Sequence, residues 1–280
     1  MVFTQYKTTE GFRKAAWETL RRSEVQNNII LGYTSDDVDT AERGWLLAAV
    51  CADGGEVLLA AGYTPPFNVV LYEPDNIPND AALEFFAREL RITGVNPPGV
   101  TAERGTAERF ARAYAGDGGY TRHFGMNLML ANSVELKAAV SGFGRAAAER
   151  DLHFLPYWYT EFERDCGLTV RLSLKQHEEQ VRELIRRGKL FVWEDGGVPV
   201  STAASPREVG NGSVISEVYT PPFYRNRGYG AAAVAYAASA CFDAGAEFCC
   251  LFADADNPVS NGIYKKLGFR DIGIVDELQF

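Results

Sequence analysis

Apolar and polar positions along the chain alternate between helical and strand-like spacing. Over residues 11–22, Phe12, Ala15, Ala16 and Leu20 share one face at helical spacing, which predicts an amphipathic helix. Apolar runs at 45–51 and 57–62 predict strands joined by the turn Asp53-Gly54-Gly55. A helix is expected from Asp80, with Leu83, Phe86 and Leu90 inward and Gly94 as its stop. Another is expected near 107–115, and a strand at 126–130 closes this half. The second half is more sharply patterned. An aromatic-rich amphipathic helix is predicted over 151–165. Ser173 and Gln176 have capping-box spacing, and Val181, Leu184 and Ile185 carry that helix to Gly188. Strands are predicted at 190–193, 198–204 and 214–220. A glycine turn then opens an alanine-rich helix over 228–244. A continuous apolar run at 248–253 reads as a buried strand, followed by a short helix at 259–267 and a last strand at 269–275. The predicted class is α/β, a mixed sheet flanked by helices.

Two short strings occur twice. Tyr63-Thr64-Pro65-Pro66-Phe67 returns as Tyr219-Thr220-Pro221-Pro222-Phe223, and Asp53-Gly54-Gly55 returns as Asp195-Gly196-Gly197. The spacing between the strings differs in the two halves, so an imperfect duplication is expected. Ser141-Gly142-Phe143-Gly144 interrupts the pattern, which places the boundary near Val140 and predicts domains at 1–139 and 140–280.

Composition narrows the class. At 280 residues, 46% hydrophobic and 23% charged, the chain is neither disordered nor fibrous. No run approaches the roughly 20 apolar residues a membrane helix needs, and the N-terminus lacks the apolar core of a secretory signal. A net charge of -9 disfavours nucleic acid and anionic membrane as partners and is compatible with a cationic substrate. Five cysteines without a CxxC pair, and three scattered histidines, predict no structural metal. They read as reduced thiols, so a cytoplasmic setting is expected.

The sharpest chemical feature is Arg225-Asn226-Arg227-Gly228-Tyr229-Gly230, between a predicted strand and a predicted helix. The first N–H groups of a helix lack internal partners and point at one spot, where the helix dipole adds positive potential. Two glycines let an anion such as pyrophosphate approach, and two arginines add charge. Gly228 to Ala233 also fits the loose dinucleotide pattern G-x-G-x-x-A, but too little chain follows to complete such a fold. No Gly-Lys-Ser/Thr follows, so a P-loop is excluded. A dinucleotide-binding oxidoreductase is the lesser reading of this string.

Arg225-x-x-Gly228-x-Gly230 resembles the R/Q-x-x-G-x-G/A motif of the GNAT acetyltransferase superfamily. The downstream string from Asn257 through Tyr264 to Gly268-Phe269 is similar to the second signature of that superfamily. The resemblance covers residues 151–280, and the whole chain looks like a tandem-repeat branch with a degenerate first copy. After Phe67 the first copy continues Asn68-Val69-Val70-Leu71-Tyr72, without the arginine-glycine turn, so it is not expected to cradle pyrophosphate.

The resemblance implies an N-acetyltransferase with acetyl-CoA as cosubstrate and a small-molecule or peptide amine as acceptor; a non-catalytic acyl-CoA-binding sensor is the alternative reading. It implies a strand that leaves its neighbour after residue 220, with the pantetheine arm on the backbone of Val218, Tyr219 and Thr220. Pro221 and Pro222 fit, because proline ends sheet pairing. The pyrophosphate is expected on Arg225, Asn226, Arg227, Gly228, Tyr229 and Gly230. Asn257, Ser260 and Asn261 are expected to contact the cofactor, with Asn257 equally suited to cap the short helix. Tyr264 is the expected general acid for the CoA thiolate and Glu217 the leading side chain for general base. Asp254, Asp256, the Phe280 carboxylate and a water relay are further candidates for the base or for acceptor binding.

Overall fold

The computed structural model describes residues 1–168 and 172–280. Packing divides them into two units: one holds residues 1–128, 254–256 and 272–280, the other 129–253 and 257–271.

The first unit contains β1 (Val2–Tyr6), α1 (Thr9–Leu20), α2 (Asn28–Tyr33), β2 (Leu46–Cys51), β3 (Val57–Tyr63), β4 (Val69–Tyr72), α3 (Asp80–Thr93), β5 (Gly99–Glu103) and α4 (Arg104–Ala115). It also holds most of β6 (Thr121–Ala131), whose last three residues belong to the second unit. Strands β1 to β4 pair antiparallel in chain order, and β4 pairs parallel with β5. Helix α1 starts where Thr8 accepts a hydrogen bond from the Gly11 N–H, a side-chain cap. Its buried face is Phe12, Ala16 and Leu20, at helical spacing. Leu83, Phe86 and Leu90 of α3 and Phe110 of α4 pack on Leu59, Val69 and Val100. Each such side chain contributes about 1.5–3 kcal/mol on burial.

The second unit contains β7 (Phe143–Ala146), α5 (Leu155–Asp165), α6 (Leu174–Arg186), β8 (Leu190–Asp195), β9 (Val198–Val209), β10 (Gly212–Tyr219), α7 (Tyr229–Asp243), β11 (Phe248–Asp254) and α8 (Pro258–Leu267). Strands β7 to β10 are antiparallel in chain order, and β11 runs parallel to β10. The predicted capping box is present: the Ser173 hydroxyl accepts from the Gln176 N–H at 3.3 Å, and Gln176 Oε1 accepts from the Ser173 N–H at 2.9 Å. Alanines 232, 233, 237 and 238 of α7 are buried against Val200, Ala203, Ile215 and Leu251 of the sheet. Their small size lets the helix backbone lie close to the strands that form the site.

The last strand, β12 (Arg270–Gln279), joins the first unit from Ile272 onward. There Val275–Gln279 pair antiparallel with Glu103–Gly99. Asp276, only 1% exposed, is held by Arg104 through hydrogen bonds of 2.9 and 3.2 Å.

The order strand, two helices, three strands, helix, strand, helix, strand therefore occurs twice, first ending in β6 and then in β12. The Asp-Gly-Gly strings occupy matching turns, β2 to β3 and β8 to β9. The repeated pentapeptides do not match. Tyr63 ends β3, whereas Tyr219 ends β10, the counterpart of β4. Proline-rich turns suit many strand ends, so this identity is not a mark of duplication. The order of elements and the glycine turns are.

Five elements went unread in the sequence: β1, α2, β4, β5 and β7. The Ser141–Gly144 interruption contains the start of β7, where a side chain at Gly144 would strike the Tyr236 ring at 2.2 Å. The helix expected from residue 151 begins at Leu155, with Pro156 in its first turn.

Candidate active site

Strand β10 pairs with β11 only through Gly212–Val214, although it continues to Tyr219. Its pairing with β9 shifts register twice, between Val214 and Ser216 and between Ser216 and Tyr219. Such irregularities bend a strand and re-aim its side chains. Glu217 lies at the second shift with φ +47°, in the left-handed region. The strands thus part after Val214 rather than after residue 220. The bulges, rather than the prolines, begin the separation.

A cleft of about 500 Å³ opens beside the parted strand. Of the expected site residues, it is lined by Val218, Tyr219, Thr220, Arg225, Asn226, Gly228, Tyr229, Gly230, Asn257, Ser260 and Tyr264. Phe162, Asp165, Cys166, Tyr224, Val259 and Ile263 also line it. Glu217, Arg227 and Asn261 do not. Of the other candidates for base or acceptor binding, Asp254 accepts from the Asp256 N–H, and neither lines the cleft. The Phe280 ring lies 4.9 Å from that of Tyr114 in the first unit.

The glycine turn meets the physical requirements of an anion cradle. Gly228 has φ +85° and caps α7 without a side-chain hydrogen bond, which leaves the first-turn N–H groups open at the cleft. A Cβ at Gly228 would sit 3.0 Å from a Val140 methyl, and one at Gly230 3.2 Å from the Thr220 hydroxyl. Tyr229 turns its hydroxyl away to donate to Asp195, which also accepts from Ser141 at 2.8 Å. These donors hold the Asp195 carboxyl below the usual carboxylate range.

The two arginines differ. Arg225 donates from Nε to the Thr220 carbonyl at 2.9 Å and from Nη2 to Asp165 at the end of α5. Its charge is already matched by a carboxylate, contrary to the expectation that it adds free positive charge for pyrophosphate. Arg227 forms no ion pair among the described residues, and its guanidinium lies 5.5 Å from the Phe223 ring centre.

On α8, Asn257 accepts from the N–H groups of Val259 and Ser260 at 3.2 and 3.1 Å, so the capping role is present. Asn261 is buried and donates to the Asn257 carbonyl at 2.7 Å. Tyr264 lines the cleft. Burial, with a smaller contribution from Cys166, pushes its phenol up to about 12.

Glu217 lies behind the cleft wall. Its Oε2 is sealed from solvent and has no hydrogen-bond partner among the described residues. Burial raises its carboxyl above the usual range, and Glu163 adds to the rise. Ser216, Arg207 and His177 oppose it. The neighbouring Tyr159 phenol is raised well above its ordinary value by burial and by Glu217. His177 Nε2 lies 3.2 Å from Glu163 Oε2.

In the first unit, the segment between β4 and α3 matches the glycine turn in the order of elements. Here Glu73 accepts from the Asn79 N–H at 2.7 Å and from the Thr106 hydroxyl at 2.6 Å, and pairs with Arg109. The donors meet a carboxylate of the chain itself.

The cleft residues from α5 went unread, because their use depends on tertiary placement. The only sequence signal was the aromatic character of that helix. No group of three or more His, Cys, Asp or Glu among the described residues is placed to hold a metal. No helix among them is long and apolar enough to cross a membrane.

Residues 152–269 match the model of the acetyltransferase (GNAT) family. No curated protein matches the chain. Among solved structures, a GNAT-family acetyltransferase from Colwellia psychrerythraea aligns over 100% of both chains, at 10% identity and TM-score 0.61. A GCN5-related N-acetyltransferase from Sphaerobacter thermophilus aligns over 99% of this chain and 95% of its own, at 12% identity and TM-score 0.64. A tandem GNAT protein from the clavulanic acid biosynthesis pathway aligns over 100% and 98%, at 11% identity and TM-score 0.54. At these identities the structures speak to fold alone, and the fold is that of tandem GNAT proteins. Residues 152–269, which contain the parted strand and the glycine turn, are the part of the chain that matches the GNAT acetyltransferase family.

Proposed function

We propose that this protein is an N-acetyltransferase that moves the acetyl group of acetyl-CoA to a small-molecule or peptide amine by direct attack in a ternary complex. The observation that carries this reading is the parting of β10 from β11 beside the glycine turn that opens α7. An open strand edge suits a chain of amides such as pantetheine, and the helix N-terminus suits the pyrophosphate. Acetyl-CoA, when bound, supplies an activated acetyl thioester.

The backbone of Val218, Tyr219 and Thr220 holds the pantetheine amides, and an N–H there polarises the acetyl carbonyl. Asn226, Gly228, Tyr229 and Gly230 bind pyrophosphate through main-chain N–H groups. Arg225 shapes this turn through Thr220 and Asp165, while Asn257 and Ser260 fix the opposite wall. Tyr264 is the general acid. A phenol raised to about 12 stays protonated at neutral pH and can give its proton to the departing thiolate. Glu217 is the base through a relay rather than by direct contact, because its carboxyl lies behind the cleft wall and its raised pKa suits it to keep a proton passed on from the ammonium. Segments 1–139 and 140–280 are the two copies, and the second carries the chemistry.

Calorimetry with acetyl-CoA and with NAD tests the donor half. Saturable binding of acetyl-CoA without binding of NAD is expected. NAD binding without acetyl-CoA binding overturns the reading.

A further inference from the structure

We infer that Cys241 and Cys249 form a peroxide-reactive thiol pair beside a second cavity, with Cys241 as the attacking sulfur and a disulfide between the two as the product. This goes beyond the acetyl-transfer reading and does not depend on it.

A cavity of about 240 Å³ lies where α7 ends and β10 begins. Helix α7 starts at the cleft with Tyr229, and Cys241 lies about 18 Å further along its axis, at roughly 1.5 Å per residue. Gly212 and Ser213 of β10 line the cavity with Cys241 and Gly245, and the paired Lys189 and Glu208 complete its wall. Cys241 is only 4% exposed, yet it borders this space. Cys249 of β11 is fully buried and does not line the cavity. Its Sγ lies 3.8 Å from the Ala238 carbonyl oxygen of α7, one helical turn before Cys241. Two thiols from different elements thus meet, one at a cavity and one sealed beside it.

The surroundings favour a thiolate at Cys241. A hydrogen bond from Cys249 lowers its thiol most; burial opposes, and Ser205, Ser213 and Lys189 lower it further. Ser205 Oγ is sealed from solvent and has no hydrogen-bond partner among the described residues. A thiolate at Cys241 is the acceptor that this hydroxyl lacks. Cys249 moves the other way, raised by Cys241 and by burial, and keeps its proton. Burial also raises Cys51, and it pushes Cys250 up to about 12.

Hydrogen peroxide is small enough to enter the cavity and supplies the oxidant. The Cys241 thiolate attacks one peroxide oxygen. The O–O bond breaks, an S–O bond forms, and the departing hydroxide takes up a proton to leave as water. The Cys249 sulfur then attacks the sulfenic sulfur of Cys241. The S–S bond forms, the S–O bond breaks, and the Cys249 proton leaves with the hydroxyl as a second water. Two thiols lose two electrons, and one peroxide is reduced to two waters.

The test treats folded wild-type protein, Cys241→Ser and Cys249→Ser with hydrogen peroxide, blocks the remaining thiols, and maps the peptides by mass spectrometry. Thermal melts check that each variant folds, and the wild-type map stands alone if one does not. In wild type, a cross-linked peptide joining Cys241 to Cys249 is expected, formed about tenfold faster than oxidation of the more exposed Cys51 and Cys166. In Cys249→Ser, a sulfenic acid at Cys241 that dimedone traps is expected. In Cys241→Ser, Cys249 is expected to stay reduced. Wild-type protein in which Cys51 or Cys166 oxidises first, or in which Cys241 oxidises without joining Cys249, overturns the pair. So does oxidation of Cys249 at an unchanged rate in Cys241→Ser.

Discussion

The hydroxyl of Tyr229, the first residue of α7, donates to the carboxylate of Asp195, at the end of β8. The same carboxylate takes the Ser141 hydroxyl, and the Ser141 carbonyl takes the Trp193 indole N–H at 2.9 Å. The start of the helix that opens at the cleft is thereby tied to β8 and to the segment just before β7. Tyr229 contributes its backbone to the cleft and its side chain to the anchor. Tyr229→Phe removes only the anchor. Acetyl-CoA affinity, read by calorimetry, is expected to fall about threefold to tenfold with the fold retained.

Gly228 combines a left-handed φ of +85° with a close Val140 methyl. A valine there meets both obstacles and also blocks the cradle. Gly228→Val is expected to abolish measurable acetyl-CoA binding and to lower stability by about 1–3 kcal/mol in a denaturant titration. Unchanged affinity would refute the cradle.

Tyr264 has its proton held by burial, with the phenol near 12. Tyr264→Phe keeps the ring that packs edge-on against Phe269 and removes the proton donor. The turnover number is expected to drop about 100-fold while acetyl-CoA affinity stays within twofold. Lost affinity with normal turnover would make Tyr264 a binding residue.

Glu217 has a folded-state pKa above its unfolded value. Its protonated form therefore stabilises the fold fully below the ordinary carboxylate range, and that contribution is lost as pH rises through the raised value. Glu217→Gln cannot ionise, so its thermal stability relative to wild type is expected to improve as pH rises through that window. If the carboxylate is the base, kcat/KM of wild type climbs through the same raised pKa, and the variant loses that climb. A variant with a wild-type pH profile would remove Glu217 from the chemistry.

Much of the second half was readable because local signals agree with tertiary structure there. Ser173 and Gln176 define a helix start by their own hydrogen bonds, and Gly228 marks a helix start that a side chain at φ +85° would strain. The missed strands are short and weakly patterned: β5 begins at Gly99, and β7 is Phe-Gly-Arg-Ala with both ends exposed. The part of the site contributed by α5 has no local signature. Asp165 matters because Arg225, 60 positions away, reaches it. Likewise, no sequence spacing reveals that Glu217 faces Tyr159, Glu163 and His177 rather than the cleft. The repeated pentapeptide shows the converse error, an identity in sequence that falls on unmatched strand ends.

The central claim is transfer of acetyl from acetyl-CoA to an amine. Release of free CoA thiol, followed with and without a panel of small amines and peptides, tests it most directly. Amine-dependent release by the wild-type protein, reduced about 100-fold in Tyr264→Phe, is the predicted result. Release that no amine raises above the background of acetyl-CoA hydrolysis, in protein that binds acetyl-CoA, would contradict the account and leave a binding module.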